Sequence, residues 1–257
     1  MPTYRGGRHE YGQNFLNDAA TVRAIVQTVA ATRGPIVEIG PGRGALTFDL
    51  QRLRRSLTVV EIDPRHARWL EQKVKPHVRV INTDFIRWQL PEHPHVLVGN
   101  LPFHQTTAML RKTLHAPGWT DAVLLVQWEV ARRRAGIGGA SMMTAQWWPW
   151  VDFTVGQRVP ASAFTPRPSV DAGLLVMSRR PDPLLHWNEH RRYRSFVHAV
   201  FTGRGRGLPA ILTKVCEKRT HTPIRAWLAA HRLSNSALPK QLSAAQWAQL
   251  FLIATRR

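Results

Sequence analysis

The chain has 257 residues, of which 44% are apolar, and this is enough for one full domain and a smaller second one. Its 36 Lys and Arg against 16 Asp and Glu give a net charge of +20, which favours a polyanionic partner, either nucleic acid or an anionic membrane, over a merely basic surface. A single cysteine, Cys216, excludes an intrachain disulfide framework and a cysteine-based zinc site, and the histidines show no HExxH spacing, so we expect no metal. The N-terminus lacks the apolar segment of a signal peptide and no apolar run approaches the ~20 residues of a membrane span, which predicts a cytoplasmic protein.

Short β-type segments alternate with helical patterns over the first 180 residues. The first helix is predicted to begin at Asn17 or Asp18 and to bury an apolar face from Val22 to Val29. Several strands are apolar throughout, as parallel strands covered on both faces are. The alternation predicts a doubly wound, Rossmann-like α/β sheet, with the last two strands as an antiparallel hairpin at its edge. The predicted strands are residues 35–39, 57–62, 78–82, 95–99, 122–127, 153–159 and 173–178.

A different pattern begins after Pro181 and Pro183, which form a predicted linker. Beyond it the apolar residues follow helical spacing, and a capping-box signature at Ser243 predicts the start of a last helix. This segment holds 13 Lys and Arg against 3 Asp and Glu, so its positive charge is more than twice as dense as that of the preceding part. We therefore expect a catalytic domain over residues 1–180 and a small, basic, all-helical domain over residues 181–257.

The ends of the first three predicted strands carry residues suited to an adenosine-type ligand. The stretch VEIGPGRGALT places Gly40 and Gly42 where a ligand can approach the backbone closely. Glu61 ends the second strand, where an acid can accept both hydroxyls of a ribose, and Asp84 ends the third, where a carboxylate can accept an adenine amine proton. Each feature alone is also explained by a tight turn or an ordinary strand-end polar residue, but three successive strand ends together outline such a cofactor.

The fourth strand ends in VLVGNLPF, a combination suited to a flat ring that bears an amine. Such an amine is a poor nucleophile because its lone pair is delocalised into the ring. The Asn100 side-chain oxygen and the Leu101 backbone carbonyl can accept its hydrogens, which favours tetrahedral geometry at the nitrogen. Pro102 fixes the local backbone, and Phe103 offers a face on which an unstacked base can lie. The alternative for Phe103 is an aromatic plug in the core.

Together, the motifs YGQNFL, VEIGPGRGALT, VEID, TDF, GNLPF and VPASAFTPRPSVDAGLL resemble those of the rRNA adenine-N6 methyltransferases. This family includes the erythromycin-resistance (Erm) enzymes and the KsgA-type small-subunit dimethyltransferases. The resemblance covers the whole chain, with the motifs in order. It implies a class I S-adenosylmethionine (SAM)-dependent methyltransferase sheet, a SAM site and an adenine of ribosomal RNA as the substrate.

The resemblance also implies roles for individual residues. Asn14 and Leu16 would border the methionine and adenosine parts of SAM, and Asn100 would touch both cofactor and target. Phe164 matches a second aromatic residue, expected near the flipped base and opposite Phe103. The other implied contacts are Gly40 beneath the cofactor, Glu61 on its ribose and Asp84 on its adenine amine. Phe103 replaces the commoner Tyr, a change that keeps the stacking face, so we expect activity to survive it.

The branch of the family is indicated by the segments LVQWEVARRRAGIGGASMMTAQWWPWVDF, VFTGRGRGLPAIL and LPKQLSAAQW, which resemble the Erm enzymes of high-GC Gram-positive bacteria. The NLPYN motif of KsgA-type proteins is absent. The resemblance favours 23S rRNA, modified at the peptidyl-transferase loop, with resistance to macrolides, lincosamides and streptogramin B. Because an adenine buried in the finished ribosome is hard to flip, we expect modification before or during 50S assembly, by a monomeric enzyme. The alternatives are the same reaction on small-subunit rRNA, or a catalytically inactive RNA- or DNA-binding factor on this fold.

Clusters of basic residues are candidates for RNA binding, although a solvated helix face is the alternative for any one of them. Three consecutive arginines before GIGG predict a mobile, RNA-facing loop after the fifth strand. The tryptophans at 147, 148 and 150 are predicted to pack in the core rather than to stack on bases. The predicted RNA-binding residues are Arg132, Arg133, Arg134, Arg204, Arg206, Lys214, Lys218 and Arg219.

Overall fold

The computed structural model describes residues 14–255, which divide into two compact units. The first unit comprises the described chain up to Ala131 together with Val155–Ser178, and the second comprises Arg132–Thr154 and the chain from Arg179 onward. A change of unit at 178/179 lies next to the boundary expected at residue 180. The expected single boundary was nevertheless incomplete, because residues 132–154 also belong to the second unit.

All seven predicted strands are present: β4 has its predicted bounds, and the ends of the others lie within three residues of those predicted. Two further strands of two residues each, which the sequence patterns did not indicate, pair with each other in a separate antiparallel ladder. The strands are β1 (Phe15–Leu16), β2 (Ile36–Ile39), β3 (Leu57–Glu61), β4 (Val78–Asn82), β5 (His95–Asn100), β6 (Trp119–Gln127), β7 (Val151–Val159), β8 (Phe164–Thr165) and β9 (Ala172–Arg179).

The seven-stranded sheet has the order β4-β3-β2-β5-β6-β9-β7. Strands β2 to β6 are parallel, whereas β9 runs antiparallel to β6, so the fold is the predicted doubly wound α/β sheet. β9 and β7 are neighbours at one edge, where the hairpin was expected. The order reverses between β2 and β5, and the crevice outside the carboxyl ends at such a reversal is where ligands bind in these sheets.

Helices connect the parallel strands and make up most of the second unit. Each begins and ends as follows: α1 (Ala19–Ala30), α2 (Thr47–Leu50), α3 (Pro64–Glu71), α4 (Thr106–His115), α5 (Trp128–Arg134), α6 (Met142–Trp147), α7 (His190–Thr202), α8 (Leu208–Val215), α9 (His221–Ala230) and α10 (Ala244–Ala254). No helix among residues 14–255 is long and apolar enough to cross a membrane.

Local sequence signals explain where the first helix begins. Of the two predicted caps, Asp18 is the one used, since its Oδ2 accepts hydrogen bonds from Thr21 N at 2.7 Å and from Thr21 Oγ1 at 2.6 Å. The helix buries Val22, Ile25 and Val29, as predicted. These side chains pack in one core cluster with residues of β2, β3, β5 and β6, which holds the helix on the sheet.

The core of the second unit is strongly aromatic. Tyr193 is fully buried on α7 and donates a hydrogen bond from Oη to the Ala145 carbonyl at 2.8 Å. The Phe201 ring stacks on Trp247 of α10, with centroids 5.6 Å apart. Trp147 and Trp150 are also buried, which confirms that these two tryptophans pack in the core.

Replacing Ser243 by Ala tests the predicted cap of α10. Ser243 Oγ accepts a hydrogen bond from Gln246 N at 3.2 Å, while Gln246 Oε1 accepts one from Ser243 N at 2.8 Å. We expect Ser243→Ala to lower the free energy of unfolding by about 1 kcal/mol, because it leaves an amide of the first turn without its partner. Ser195→Ala, on the exposed surface of α7, is the control and should change it by less than about 0.5 kcal/mol in denaturant titrations.

Candidate active site

A cavity of about 830 Å³ opens at the carboxyl ends of β2, β3, β4 and β5, where the strand order reverses. Its volume is in the range of small-molecule and cofactor sites. The turns after these four strands form most of its wall, together with the segment around β1. The predicted cofactor-binding and NLPF residues all line it: Asn14, Leu16, Gly40, Gly42, Glu61, Asp84, Asn100, Leu101, Pro102 and Phe103.

The turn after β2 leaves room for a ligand directly above its backbone. Gly40 has a φ of +63°, a conformation that side-chain-bearing residues rarely adopt, and its N–H donates to the Val60 carbonyl at 2.9 Å. A Cβ atom built on Gly40 would meet nothing within 4 Å. The absence of a side chain here therefore opens space in the cavity rather than relieving a clash within the protein.

The carboxylate of Glu61 is fully buried and held in one orientation by two backbone amides. Its Oε2 accepts from Gly42 N at 2.8 Å, and its Oε1 accepts from Asp63 N at 2.8 Å. These bonds join the end of β3 to the turn after β2. Because a carboxylate oxygen accepts more than one hydrogen bond, both oxygens retain capacity for the hydroxyls of a ligand.

Asp84 lies in a turn that is tied to α4. Its Oδ1 accepts from Ile86 N at 2.8 Å, and its Oδ2 lies 3.9 Å from Arg87 Nε. The ammonium group of Lys112 donates to the carbonyls of Ile86, at 2.8 Å, and Trp88. Lys112 thereby fixes the turn that presents Asp84 against the helix that follows the NLPF stretch.

The NLPF stretch is a rigid turn from β5 into α4. Leu101 N donates to the Leu125 carbonyl of β6 at 3.0 Å. The Pro102 carbonyl accepts from Gln105 N at 3.0 Å and from Thr106 Oγ1 at 3.1 Å. With its φ limited by the proline ring and its carbonyl bonded twice, the turn holds one backbone conformation.

The Asn100 side chain is oriented by the backbone of Asn14. Asn100 Nδ2 donates to the Asn14 carbonyl oxygen at 2.7 Å. Because a carbonyl oxygen only accepts, this contact requires the amide nitrogen, and Oδ1 is left as an acceptor. The geometry therefore supplies the oxygen acceptor that the sequence predicted at this position.

The two predicted stacking aromatics differ in their surroundings. Phe103 is partly buried against the core cluster and lines the cavity, so part of its ring is available. Phe164 is only 3% exposed, belongs to the core cluster and does not line the cavity. It pairs with Leu16 between β1 and β8, and the next two residues, Thr165 and Pro166, reach the cavity instead. The Phe164 ring is therefore packed in the core cluster of this structure, and its expected role near the flipped base, opposite Phe103, stays a prediction.

The eight predicted RNA-binding residues all lie in the second unit. Arg132, Arg133 and Arg134 form the last turn of α5 rather than the predicted loop. Arg134 is only 9% exposed and donates from Nη1 to Ser141 Oγ, so its side chain does not face solvent as expected. The exposed members of the set are Arg133, Arg204, Arg206, Lys214, Lys218 and Arg219.

The family model for ribosomal RNA adenine dimethylase matches residues 5–256. The chain belongs to this family. It is 53% identical to an rRNA adenine N-6-methyltransferase of Corynebacterium diphtheriae over 83% of this chain and 85% of that protein. It is 45% identical to the mycinamicin-resistance protein MyrB of Micromonospora griseorubida over 96% of this chain and 78% of that protein. The crystal structure of the 23S rRNA methyltransferase ErmE superposes with a TM-score of 0.86 at 34% identity, covering 95% of this chain and all of that one.

Glu38 of β2 is a cavity residue that the sequence reasoning missed. It is 1% exposed, and its Oε2 accepts from Thr47 Oγ1 at 2.7 Å. Burial, with a smaller contribution from the Glu61 charge, raises the pKa of Glu38 from an ordinary value of 4.5 to about 8. The sequence contained an indication of this residue, because a buried acid within the apolar run PIVEI requires a hydrogen-bonding partner nearby.

The sequence analysis also did not identify Phe15, whose ring contacts two other side chains of the cavity wall. Its ring lies edge-on to His66, with centroids 5.6 Å apart, and the Arg43 guanidinium lies 5.0 Å from its centroid. All three residues line the cavity of this family member. Nothing in the spacing of these positions indicates that they meet, since β1, the turn after β2 and α3 are brought together only by the fold.

Glu38→Gln tests the buried carboxyl through the pH dependence of stability. The folded protein retains the Glu38 proton up to about pH 8, whereas the unfolded chain loses it near pH 4.5. Folding therefore takes up a proton between these values, and the Glu38 contribution to the free energy of unfolding falls as the pH rises. We expect the unfolding temperature of the wild type relative to Glu38→Gln to decrease from pH 5 to pH 8. For the control Glu71→Gln, on the exposed face of α3, the unfolding temperature should change with pH as it does in the wild type. The same result for Glu38→Gln would contradict the raised pKa of Glu38.

Proposed function

We propose that the protein transfers methyl groups from SAM to N6 of a specific adenine in the peptidyl-transferase loop of 23S rRNA, and so confers resistance to macrolides, lincosamides and streptogramin B. The observation that carries this proposal is the oriented Asn100 carboxamide beside a cavity whose other strand ends suit an adenosine. The resemblance to ErmE, a 23S rRNA methyltransferase, and to the mycinamicin-resistance protein MyrB supports both the substrate and the resistance.

The residues of the cavity fit SAM. The open space above Gly40 admits the ligand next to the backbone, and the anchored carboxylate of Glu61 can accept the ribose hydroxyls. Asp84, held in its turn by the Ile86 amide, can accept a proton of the adenine amine. Asn14 and Leu16 lie on the cavity wall, where the resemblance assigns them to the methionine and adenosine parts.

When bound, SAM supplies a methyl group on a positively charged sulfur, so the reaction needs neither a protein nucleophile nor a metal. Asn100 Oδ1 and the Leu101 carbonyl accept the two hydrogens of the target amine and hold its lone pair away from the ring. The amine nitrogen would gain a bond to the methyl carbon as the bond between that carbon and sulfur breaks, S-adenosylhomocysteine would be the leaving group, and the nitrogen would release its extra proton to water. The contribution of the protein is positioning, which the hydrogen bond to Asn14 and the rigid turn provide.

Phe103 supplies the surface for the flipped base. A base that enters this cavity has left its stack in the RNA, and stacking on an aromatic side chain offsets part of that cost. The partly buried ring lies in the same turn as Asn100, so one rigid element both carries the face of the base and bonds its amine. The exposed basic residues of the second unit, together with the net charge of +20, suit the phosphates of the RNA.

Methylation of small-subunit rRNA is the second candidate, because the matching family is described as ribosomal RNA adenine dimethylase, a description that names neither ribosomal subunit. We favour 23S rRNA as the substrate and the cytoplasm as the place of the reaction. We expect methylation before or during 50S assembly, since an adenine buried in a finished subunit is harder to flip. We assign the cofactor site to the first unit, whose residues line the cavity, and most of the RNA-binding charge to the second unit.

Transfer of tritium from methyl-labelled SAM to separated, deproteinised rRNAs tests the substrate. We expect label in 23S rRNA and little in 16S rRNA or in intact 50S subunits. Ribosomal RNA that already carries the modification is the control and should accept little label. Label mainly in 16S rRNA would favour the second candidate, and no label in any rRNA would contradict the enzymatic function.

Substitutions in the NLPF turn test the roles of its side chains. We expect Asn100→Ala to lower kcat by at least about a hundredfold, because it removes an acceptor that acts on the reacting amine. Phe103→Ala should lower kcat/KM for the RNA by a factor that corresponds to roughly 1–3 kcal/mol, the free energy lost with a stacking surface. Phe103→Tyr should retain activity, because it keeps that surface. The measurement is steady-state methyl transfer, with SAM affinity measured separately by calorimetry. Undiminished transfer by both alanine variants would show that the site is assigned to the wrong residues.

A further inference from the structure

One tryptophan of the second unit is not part of its core. Trp187 exposes 52% of its surface, more than any other large apolar side chain in the described part of the chain. It lies in a 3-10 helix of one turn, Trp187–Glu189, which leads directly into α7. A large aromatic face left in contact with water is a candidate surface for a partner that bears a ring.

The exposed indole is held rigidly. It stacks on His190 with ring centroids 4.3 Å apart and planes 15° apart, and it packs edge-on against Trp150 at 5.5 Å. Trp150 is buried and donates from Nε1 to the Leu185 carbonyl at 2.8 Å, which anchors the support. A ring fixed in this way loses little conformational entropy when a partner stacks on it.

The indole rests on aromatic side chains, and the exposed residues that follow it on α7 are basic. Arg191 and Arg192 are exposed on the first turn of α7, one turn from the indole. The nearby acid, Glu189, is paired with Arg192 at 2.9 Å, so its charge is already compensated. Arginine beside an exposed aromatic ring is the combination that binds single-stranded nucleic acid, where the ring takes the base and the cation takes the phosphate.

We propose that Trp187 is a stacking platform for an unpaired nucleotide of the RNA, with Arg191 on the adjacent phosphate. This proposal rests on the proposed function, since it assumes an RNA substrate, and it adds a second base contact outside the cavity. A protein partner fits less well, because protein-binding patches are contiguous apolar areas of several hundred Å², whereas this indole is flanked by charged side chains.

Binding of deproteinised 23S rRNA to the full-length protein, measured as a function of salt, tests the platform. We expect Trp187→Leu to raise the Kd roughly five- to a hundredfold at every salt concentration and to leave the salt dependence unchanged, because stacking releases no counterions. Arg191→Gln should instead reduce the slope of log Kd against log salt by roughly one. Trp187→Phe should restore most of the affinity, since it keeps an aromatic face. Trp69→Leu, which changes an exposed tryptophan of α3, is the matched control and should bind like the wild type.

The outcomes separate this proposal from the proposed function. Methyl transfer should show a raised KM for RNA in Trp187→Leu, with kcat at saturating RNA and SAM affinity close to those of the wild type. If the wild type methylates 23S rRNA and Trp187→Leu binds it equally well, the platform is refuted and the enzymatic function stands. Equal weakening by Leu and Phe would refute stacking, because general damage rather than loss of an aromatic face would then explain it. A wild type that neither binds nor methylates rRNA would refute both proposals.

Discussion

The hydrogen bond from Asn100 Nδ2 to the Asn14 carbonyl decides which atom of the carboxamide is available to a ligand. Reversing the amide would place two oxygen acceptors against each other and leave two N–H donors at the cavity, where they would repel an amine. The bond therefore turns a residue that can donate or accept into a dedicated acceptor. It also links Asn14, the residue before β1, to the last residue of β5.

The buried acids explain why the cavity keeps its shape. Glu61 accepts hydrogen bonds from the amides of Gly42 and Asp63, whereas Glu38 accepts one from the Thr47 hydroxyl, and burial raises the pKa of Glu38 to about 8. Burial disfavours the charged form of Glu38, and the hydrogen bond from Thr47 offsets only part of that penalty. The two amides thus fix the orientation of the Glu61 side chain in the cavity wall, and the neighbouring Glu38 keeps its proton at neutral pH.

The two units divide the physical tasks of a nucleic-acid-modifying enzyme. Hydrogen bonds at the strand ends orient side chains of the cavity in the first unit, where the proposed methyl transfer would tolerate little displacement of the cofactor. The second unit presents exposed cations and the exposed indole of Trp187, which under the proposed function would contribute to RNA affinity with little dependence on exact geometry. Membership in the ribosomal RNA adenine dimethylase family is consistent with both tasks.

The sequence by itself determined the parallel strands, the first and last helix starts and the set of residues at the strand ends. These features depend on local patterns: apolar runs of four to six residues, a capping residue followed by an apolar face, and polar residues directly after a strand. Since the carboxyl ends of parallel strands meet at one edge, the residues at positions 40, 61, 84 and 100 were predictable as one site.

Only the tertiary structure decided which of the predicted side chains are exposed and where the chain changes unit. The β1–β8 pairing, between residues about 150 positions apart, buries the Phe164 ring, and the bond to Ser141 draws Arg134 inward. Residues 132–154 join the second unit although they precede the predicted linker in the chain. A local pattern records what a residue prefers, but its burial depends on partners distant in the chain, and those contacts exist only once the chain has folded.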